Sequence, residues 1–548
     1  MIKTWYVVPV RGGSKGLPRK NARLLGDKPL MSHVLTTLKT VDKPEQTIVI
    51  TDDEELEAIA EKEGVRVFKE PLTTGKATLD EVCLKILPEL EGLGAKKDDI
   101  ILTIQATCPY VSANTIVKAR DILKKEGGGV LTVMDDRHLN WTVNEDGKPQ
   151  PLYKERLNRQ YLPPNFRESG AVIGSVIGLF KKTGTRINEP INIVEIEKKE
   201  GLDIDTYADW AVAEHYQNQR KILVRADAGK TIGMGHVYRA ITMAQEMAQH
   251  ELVFATKNIE GDTLGRDFLM QYPYKLFEFN SDKDFSKFAI EEGFDYIFLD
   301  QLSTTRDYIR DLKKSGAKVI TFEDLGTGAI EADLVINDLY KISGLSKDKQ
   351  LYGLKYSFLP PLFQVIDPQQ NVKKTIDNIL ILFGGTDPLN LTVKTLESLQ
   401  SLKYKGFVTV VQGMGRLDRE INLDDYQLEG RVLSNINNIA KVMREADLAF
   451  SSAGRTITEL LMMRVPTVCI CQNERELTHS HASQRYGVHN LGLGNLISND
   501  TLQANIQFVI ENLEFRKMMH MRAKEAMDGH SNRAVIKHIA NKLGDNSL

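Results

Sequence analysis

The sequence predicts an α/β protein of three successive sheet-and-helix units, and three observations carry that expectation. At 548 residues the chain is too long for one core, since domains run to roughly 100–200 residues. Short β-rich apolar runs recur along its whole length, with amphipathic helical stretches between them. Strands look like this where helices cover both faces of a mostly parallel sheet. The runs also fall into three series. The first holds 5–10, 47–51, 100–105, 130–134 and 171–180; the second 221–225, 252–255, 296–300, 318–322 and 334–337; the third 378–383, 407–412, 447–451 and 466–471. A short polar stretch at 215–220 and a proline-rich one at 359–370 separate them. Domains of 1–218, 219–365 and 366–548 are expected, the last ending in helices from Leu502 onward with a break at Gly529.

Composition narrows the classes. Hydrophobic residues make up 42% and charged residues 26%, which excludes wholesale disorder. A net charge of −3 argues against nucleic acid as a dedicated partner. The cysteines Cys83, Cys108, Cys469 and Cys471 lack paired zinc-type spacing and suit a reducing compartment. The opening residues lack the layout of a signal peptide, and the apolar stretch 170–180 is too short to span a bilayer. A cytoplasmic protein without a membrane span is expected.

Directly after the first strand comes Arg11-Gly12-Gly13-Ser14-Lys15-Gly16-Leu17-Pro18-Arg19-Lys20-Asn21. Its glycines let the backbone turn tightly and present N–H groups, while its lysines and arginines add charge. At the C-terminal end of a first strand, such a loop is where α/β folds bind phosphates. The bland alternative is a solvated basic turn.

Together with Gln105-Ala106-Thr107-Cys108-Pro109, the stretch from Arg159-Gln160 to Gly170, and Leu202-Asp203-Ile204-Asp205-Thr206 with Asp209, this loop resembles the CMP-sialic acid synthetase family of cytidylyltransferases. The resemblance implies a Rossmann-like nucleotidyltransferase domain that transfers CMP from CTP to a nine-carbon 2-keto sugar acid and releases pyrophosphate. It implies CTP on Arg11, Gly12, Ser14, Lys15, Gly16, Lys20 and Asn21, with Lys20 catalytic. Gln105, Arg159 and Gln160 would bind substrate, and Asp203 and Asp205 would carry magnesium. Residues i and i+2 of an extended segment face the same side, so these two acids can converge on one hard cation. Alone, they could equally cap the next helix or form surface pairs. The sequence departs from the family at Ala106 and Cys108, at Ser169 where an asparagine is common, and at Lys69-Glu70-Pro71, which lacks an arginine often found there. The last two departures leave the acceptor sugar open. These synthetases are typically dimeric, so a homodimer or larger assembly is expected.

The second series opens with a strand feeding Ile232-Gly233-Met234-Gly235-His236-Val237-Tyr238-Arg239. His236 near a helix start is a candidate general base, with Gly235 and Arg239 at the substrate. A lone histidine is more often structural. The third series gives Phe383-Gly384-Gly385-Thr386-Asp387 and Ser451-Ser452-Ala453-Gly454-Arg455-Thr456-Ile457-Thr458-Glu459. Gly384, Gly385 and Thr386 free backbone N–H groups beside a helix start. Gly454, Arg455 and Thr456 suit a diphosphate, and Glu459 suits ribose hydroxyls, although an exposed helical carboxylate is the plain alternative. His479 and His481 are too isolated to read as a metal site.

These residues resemble the UDP-sugar hydrolase of pseudaminic acid biosynthesis and its spore-coat relative, over roughly 221–471. The resemblance implies a two-domain GT-B-like module with a nucleotide sugar in its cleft. His236 would activate water, and Glu459 and Asn473 would contact the ligand. Asp300-Gln301-Leu302 departs from it: the hydrolase has a catalytic tyrosine where this chain has Leu302. A bifunctional enzyme of sialic-acid-like sugar metabolism is expected. The alternatives for the second module are a glycosyltransferase that uses the CMP-sugar and a binding platform without chemistry.

Overall fold

The computed structural model describes residues 2–13, 16–70, 77–229, 233–384, 387–413, 421–434, 436, 438–545 and 547–548. The chain divides into two compact units, Met1–Asn218 and Gln219–Leu548.

In the first unit a seven-stranded sheet runs in the order Ile191–Glu195, Gly129–Asp135, Phe166–Val176, Ile100–Ile104, Thr4–Pro9, Thr47–Thr51, Arg66–Lys69. All neighbours are parallel except Phe166–Val176, which runs antiparallel to both strands beside it. The central strands are buried along their length, with only Pro9 partly exposed, as their unbroken apolar runs require. The run 171–180 is not one strand. It leaves the sheet at Val176 and becomes the helix Ile177–Thr183, closed by Gly184 in the left-handed region. Helix Glu54–Lys62 starts on Asp53, whose carboxylate accepts from the Glu55 and Leu56 amides.

The second unit holds two wholly parallel sheets. One has the order Lys275–Phe279, Glu251–Lys257, Lys221–Ala226, Tyr296–Asp300, Lys318–Phe322, Leu334–Asn337, Gln350–Tyr352. The other has the order Gly430–Ser434, Phe407–Gln412, Asn378–Leu382, Leu448–Ser451, Thr467–Cys471, Val488–Leu493. The last helix, Asn532–Leu543, departs from the expected segment 366–548. Its Val535, Ile536, Ile539, Ala540 and Leu543 belong to the core of the first of these sheets, with Ile222, Val224 and Phe254. Among the described residues, no helix is long and apolar enough to cross a membrane.

Candidate active sites

The basic loop of the first unit is built by close approach. A Cβ on Gly12 would lie 2.1 Å from a carboxylate oxygen of Asp53, and one on Gly16 would lie 2.2 Å from the backbone oxygen of Asp205. Neither position has room for a side chain. Arg19, in the left-handed region at φ 56°, reaches Asp53 at 2.9 Å and also pairs with Glu55. The loop is thus clamped to the neighbouring helix start.

On the opposite wall, Ile204 is fully buried with Leu17, Leu25, Leu30 and Trp210, and its amide donates to the Thr107 carbonyl at 2.9 Å. That anchor fixes Asp203 and Asp205 on either side of it. Lys20, 8% exposed, donates from Nζ to Asp205 at 2.8 Å and also to the Ile204 carbonyl. Arg11, Gly16, Lys20, Asn21, Gln105, Thr107, Asp203 and Asp205 line one cavity of about 550 Å³, together with Asp52 and Glu70.

Asp203 has a buried carboxylate oxygen, Oδ1, with no hydrogen-bond partner. Burial first, then the Asp205 carboxylate, push its pKa up against the pull of Thr107 and Lys20. A partnerless buried carboxylate oxygen beside a second, exposed carboxylate suits a hard divalent cation. Among the described residues no third His, Cys, Asp or Glu completes a protein-only site, so substrate oxygens would have to supply the remaining ligands.

Arg159 and Gln160 lie elsewhere, exposed on a single 3-10 turn and outside the lining of this cavity. Ser169 faces inward, its hydroxyl 2.7 Å from that of Thr132. Ser14 and Lys15 lie outside the described residues.

In the second unit His236 occupies the first turn of helix Gly235–Gln245. Its Nδ1 lies 2.5 Å from Asp300, at the C-terminal end of Tyr296–Asp300. Nδ1–H donates to that carboxylate, which leaves Nε2 as the ring's other nitrogen. Arg239, expected at the substrate, is buried beneath the site. It donates to Asp300 at 2.6 Å and to Glu323 at 2.8 Å. Three helical positions after His236, it lies on the same side of that helix but faces the sheet.

From the second sheet, Arg455 reaches across to the same Glu323 oxygen at 2.6 Å and lies 3.8 Å from Asp338. Burial raises the Asp338 pKa to about 6 against the opposing pull of Arg455, with Glu323 adding to the rise. A cavity of about 250 Å³ lies here, lined by Gly235, His236, Leu302, Glu323, Gly454, Arg455, Asn473, Arg475 and His479, among others.

Thr456 and Glu459 do not line that cavity. Burial pushes the Glu459 pKa up to about 7 against the pull of Arg455. Gly384 takes φ 82°, and Gly385 and Thr386 lie outside the described residues. Asp387 ends this loop by accepting from the Leu391 and Thr392 amides at 2.8 and 3.0 Å and from the Gln472 side chain at 2.8 Å.

Asp300, Glu323, Asp338, Arg475 and His479 had not been singled out as site residues. For the first three a signal exists, because each stands at or just past the C-terminal end of a parallel strand, the edge where such sheets place their sites. His479 donates from Nδ1 to the Ala453 carbonyl at 2.7 Å, and His481 from Nε2 to the Gly454 carbonyl at 3.0 Å. Together they hold the 453–454 turn.

Comparison with known proteins agrees with this division. Residues 5–148 match the cytidylyltransferase family model, and residues 378–539 match that of the glycosyltransferase family 28 C-terminal domain. An uncharacterised protein of Methanocaldococcus jannaschii, MJ1062, is 30% identical over 46% of this chain and 56% of its own length. The chain therefore spans little more than half of that relative. The CMP-N,N'-diacetyllegionaminic acid synthase of Legionella pneumophila is 26% identical over 38% of this chain and 93% of its own. The UDP-2,4-diacetamido-2,4,6-trideoxy-β-L-altropyranose hydrolase of Campylobacter jejuni is 24% identical over 49% of this chain and 98% of its own. The chain thus carries a cytidylyltransferase domain in its first unit and a glycosyltransferase family 28 C-terminal domain in its second.

Proposed function

We propose that the first unit transfers CMP from CTP to a nine-carbon 2-keto sugar acid. The observation that carries this reading is the meeting of Lys20 and Asp205 at 2.8 Å on one cavity that Arg11 and Asp203 also line. Arg11, Lys20, Asn21 and the amides of the loop bind the triphosphate, and Lys20 follows its charge as the bond to pyrophosphate breaks. Asp203 and Asp205 hold a magnesium ion, whose charge offsets that of the phosphates. Gln105, packed against Gly170, borders the acceptor. The likeness to a CMP-N,N'-diacetyllegionaminic acid synthase supports this class of product. The test incubates the full chain with CTP, magnesium and a panel of 2-keto sugar acids and measures pyrophosphate release. No release with any sugar acid would sink the reading. Asp205→Ala is expected to reduce release by roughly two orders of magnitude.

The second unit is read as a cleft for a nucleotide sugar, with Arg455 and Gly454 at the diphosphate and His236 taking a proton from the attacking oxygen. Hydrolysis is favoured by the likeness to a UDP-sugar hydrolase. Transfer to an acceptor hydroxyl is the second reading. It rests on Leu302, an apolar residue in the cavity wall that can neither donate a hydrogen bond nor orient water. Release of UDP from a UDP-linked 2,4-diacetamido sugar with no acceptor present distinguishes the two. No other chain is required by either reading, and self-association remains an expectation to be read from sedimentation.

A further inference from the structure

We propose that His479 is a ligand-reading residue of the second unit's cleft, accepting at Nε2 a hydrogen bond from an O–H or N–H group of the bound molecule. The inference rests on the nucleotide-sugar reading of that cleft.

His479 is 8% exposed. The rings of Tyr340 and His481 lie alongside it, with centroids at 5.9 and 5.8 Å and planes inclined by 20° and 29°. Nδ1 is committed to the Ala453 carbonyl at 2.7 Å. A carbonyl only accepts, so Nδ1 carries the proton and Nε2 carries the lone pair. Nε2 is buried and has no partner. Yet the residue lines the cavity that also holds His236, Arg455 and Asn473. With Nδ1 bound to Ala453, Nε2 is the ring's one polar atom left for a ligand.

An unmatched acceptor in such a place is costly unless something donates to it. Burial lowers the ring's pKa, against the pull of the Ala453 hydrogen bond, so the neutral acceptor form persists at neutral pH. The chemistry is selective. A hydroxyl or an amide N–H fits, whereas a phosphate, carboxylate or ether oxygen would face another lone pair. The cleft would then contain two imidazole nitrogens from its two sheets, each fixed by what its ring's Nδ1 bonds: His236 at the reacting oxygen, and His479 at a donor group of the ligand.

The donor could be the base imide or ribose of the nucleotide, or a hydroxyl or acetamido N–H of the sugar. Calorimetric titration of the full chain with UDP and with UDP-N-acetylglucosamine separates these sources. Binding of neither ligand to the unaltered protein would overturn the nucleotide-sugar reading itself, before the question of His479 arises. Given binding, His479→Asn keeps an N–H near the position of Nδ1, and with it the tie to Ala453, but removes the acceptor. It is expected to weaken binding about tenfold. Loss with both ligands places the donor on the nucleotide, and loss with the sugar nucleotide alone places it on the sugar. His479→Gln sets a carbonyl oxygen near the position of Nε2 and should recover most of the affinity. Unchanged affinity of the Asn variant for both ligands, with an unchanged melting temperature, would overturn the proposal. So would an equal loss in the Asn and Gln variants, since restoring an acceptor near the position of Nε2 would then recover nothing.

Discussion

Gly16 shows how one missing Cβ can carry a site. Its absent side chain is where the Asp205 carbonyl sits, so the loop and the acidic segment can touch. Gly16→Ala forces them apart by about an ångström or more, and misplacement on that scale costs up to roughly 100-fold in rate. Pyrophosphate release from CTP should fall by about 10- to 100-fold while the melting temperature moves little, because the loop is exposed at this position. Equal rates for the two proteins would contradict this account. Glu459 offers a test of the opposite kind, read in stability. Its carboxyl is raised from the ordinary 4.5 to about 7 by burial, against Arg455, so the folded protein holds that proton more tightly than the unfolded chain does. This residue's share of stability is therefore greatest below pH 4.5 and is lost as pH rises through 7. Glu459→Gln should flatten the stability profile of the ligand-free protein between about pH 5 and 7 by up to one proton's worth of slope, as followed by urea unfolding at several pH values. A parallel pair of profiles would contradict it.

Elements differ in how plainly the sequence announces them. The central strands were legible because burial on both faces demands an unbroken apolar run, as in Ile100–Ile104 and Tyr296–Asp300. Edge strands such as Arg66–Lys69 and Gly430–Ser434 were not, since half of each is solvated and the apolar signal breaks up. The first candidate site was legible for a related reason. A glycine-rich basic loop and an Asp-x-Asp each advertise their chemistry locally, although only the fold shows that Ile204 anchors one against the other. The second was legible only in part. Glu323 and Asp338 mean nothing until parallel strands set their C-terminal ends side by side, and Arg239 reads as a surface contact until the sheet is seen to bury it. The Asp387 cap is a further element-level device, tying a glycine loop to helix Leu391–Ser401 and to Gln472. Asp387→Ala removes the carboxylate that accepts from two backbone amides at a helix start and should destabilise the second unit by about 1–2 kcal/mol, measurable by denaturant unfolding of the full chain. A change below the error of that measurement would show that water replaces the cap without loss.

At the scale of the whole chain, the main surprise is that the sequence returns at its end to a sheet it left long before. Helix Asn532–Leu543 lays Val535, Ile536 and Ile539 into the core beneath Ile222 and Phe254, and the residues after it lock the return. Asp545 accepts from Arg220 at 2.9 Å and from the Tyr296 hydroxyl at 2.7 Å. Burial favours the protonated acid, but hydrogen bonds from Arg220, Ser547 and Tyr296 outweigh it and hold the carboxyl well below the usual range. The sign of the linkage follows: this residue's stabilisation is complete above the ordinary carboxylate pKa and is lost as pH falls through the lower, folded value. Deleting residues 532–548 exposes an apolar patch on the first sheet and removes the charge pair together. It should therefore lower the melting temperature of the second unit's transition by more than Asp545→Asn does, and should promote aggregation. The Asn substitution alone should cost about 1–3 kcal/mol at pH 7 and progressively less below about pH 4. A truncated chain that melts with the full one would mean that the return helix only decorates the sheet. A deficit in the Asn variant that grows on acidification would reverse the assigned direction of the Asp545 shift.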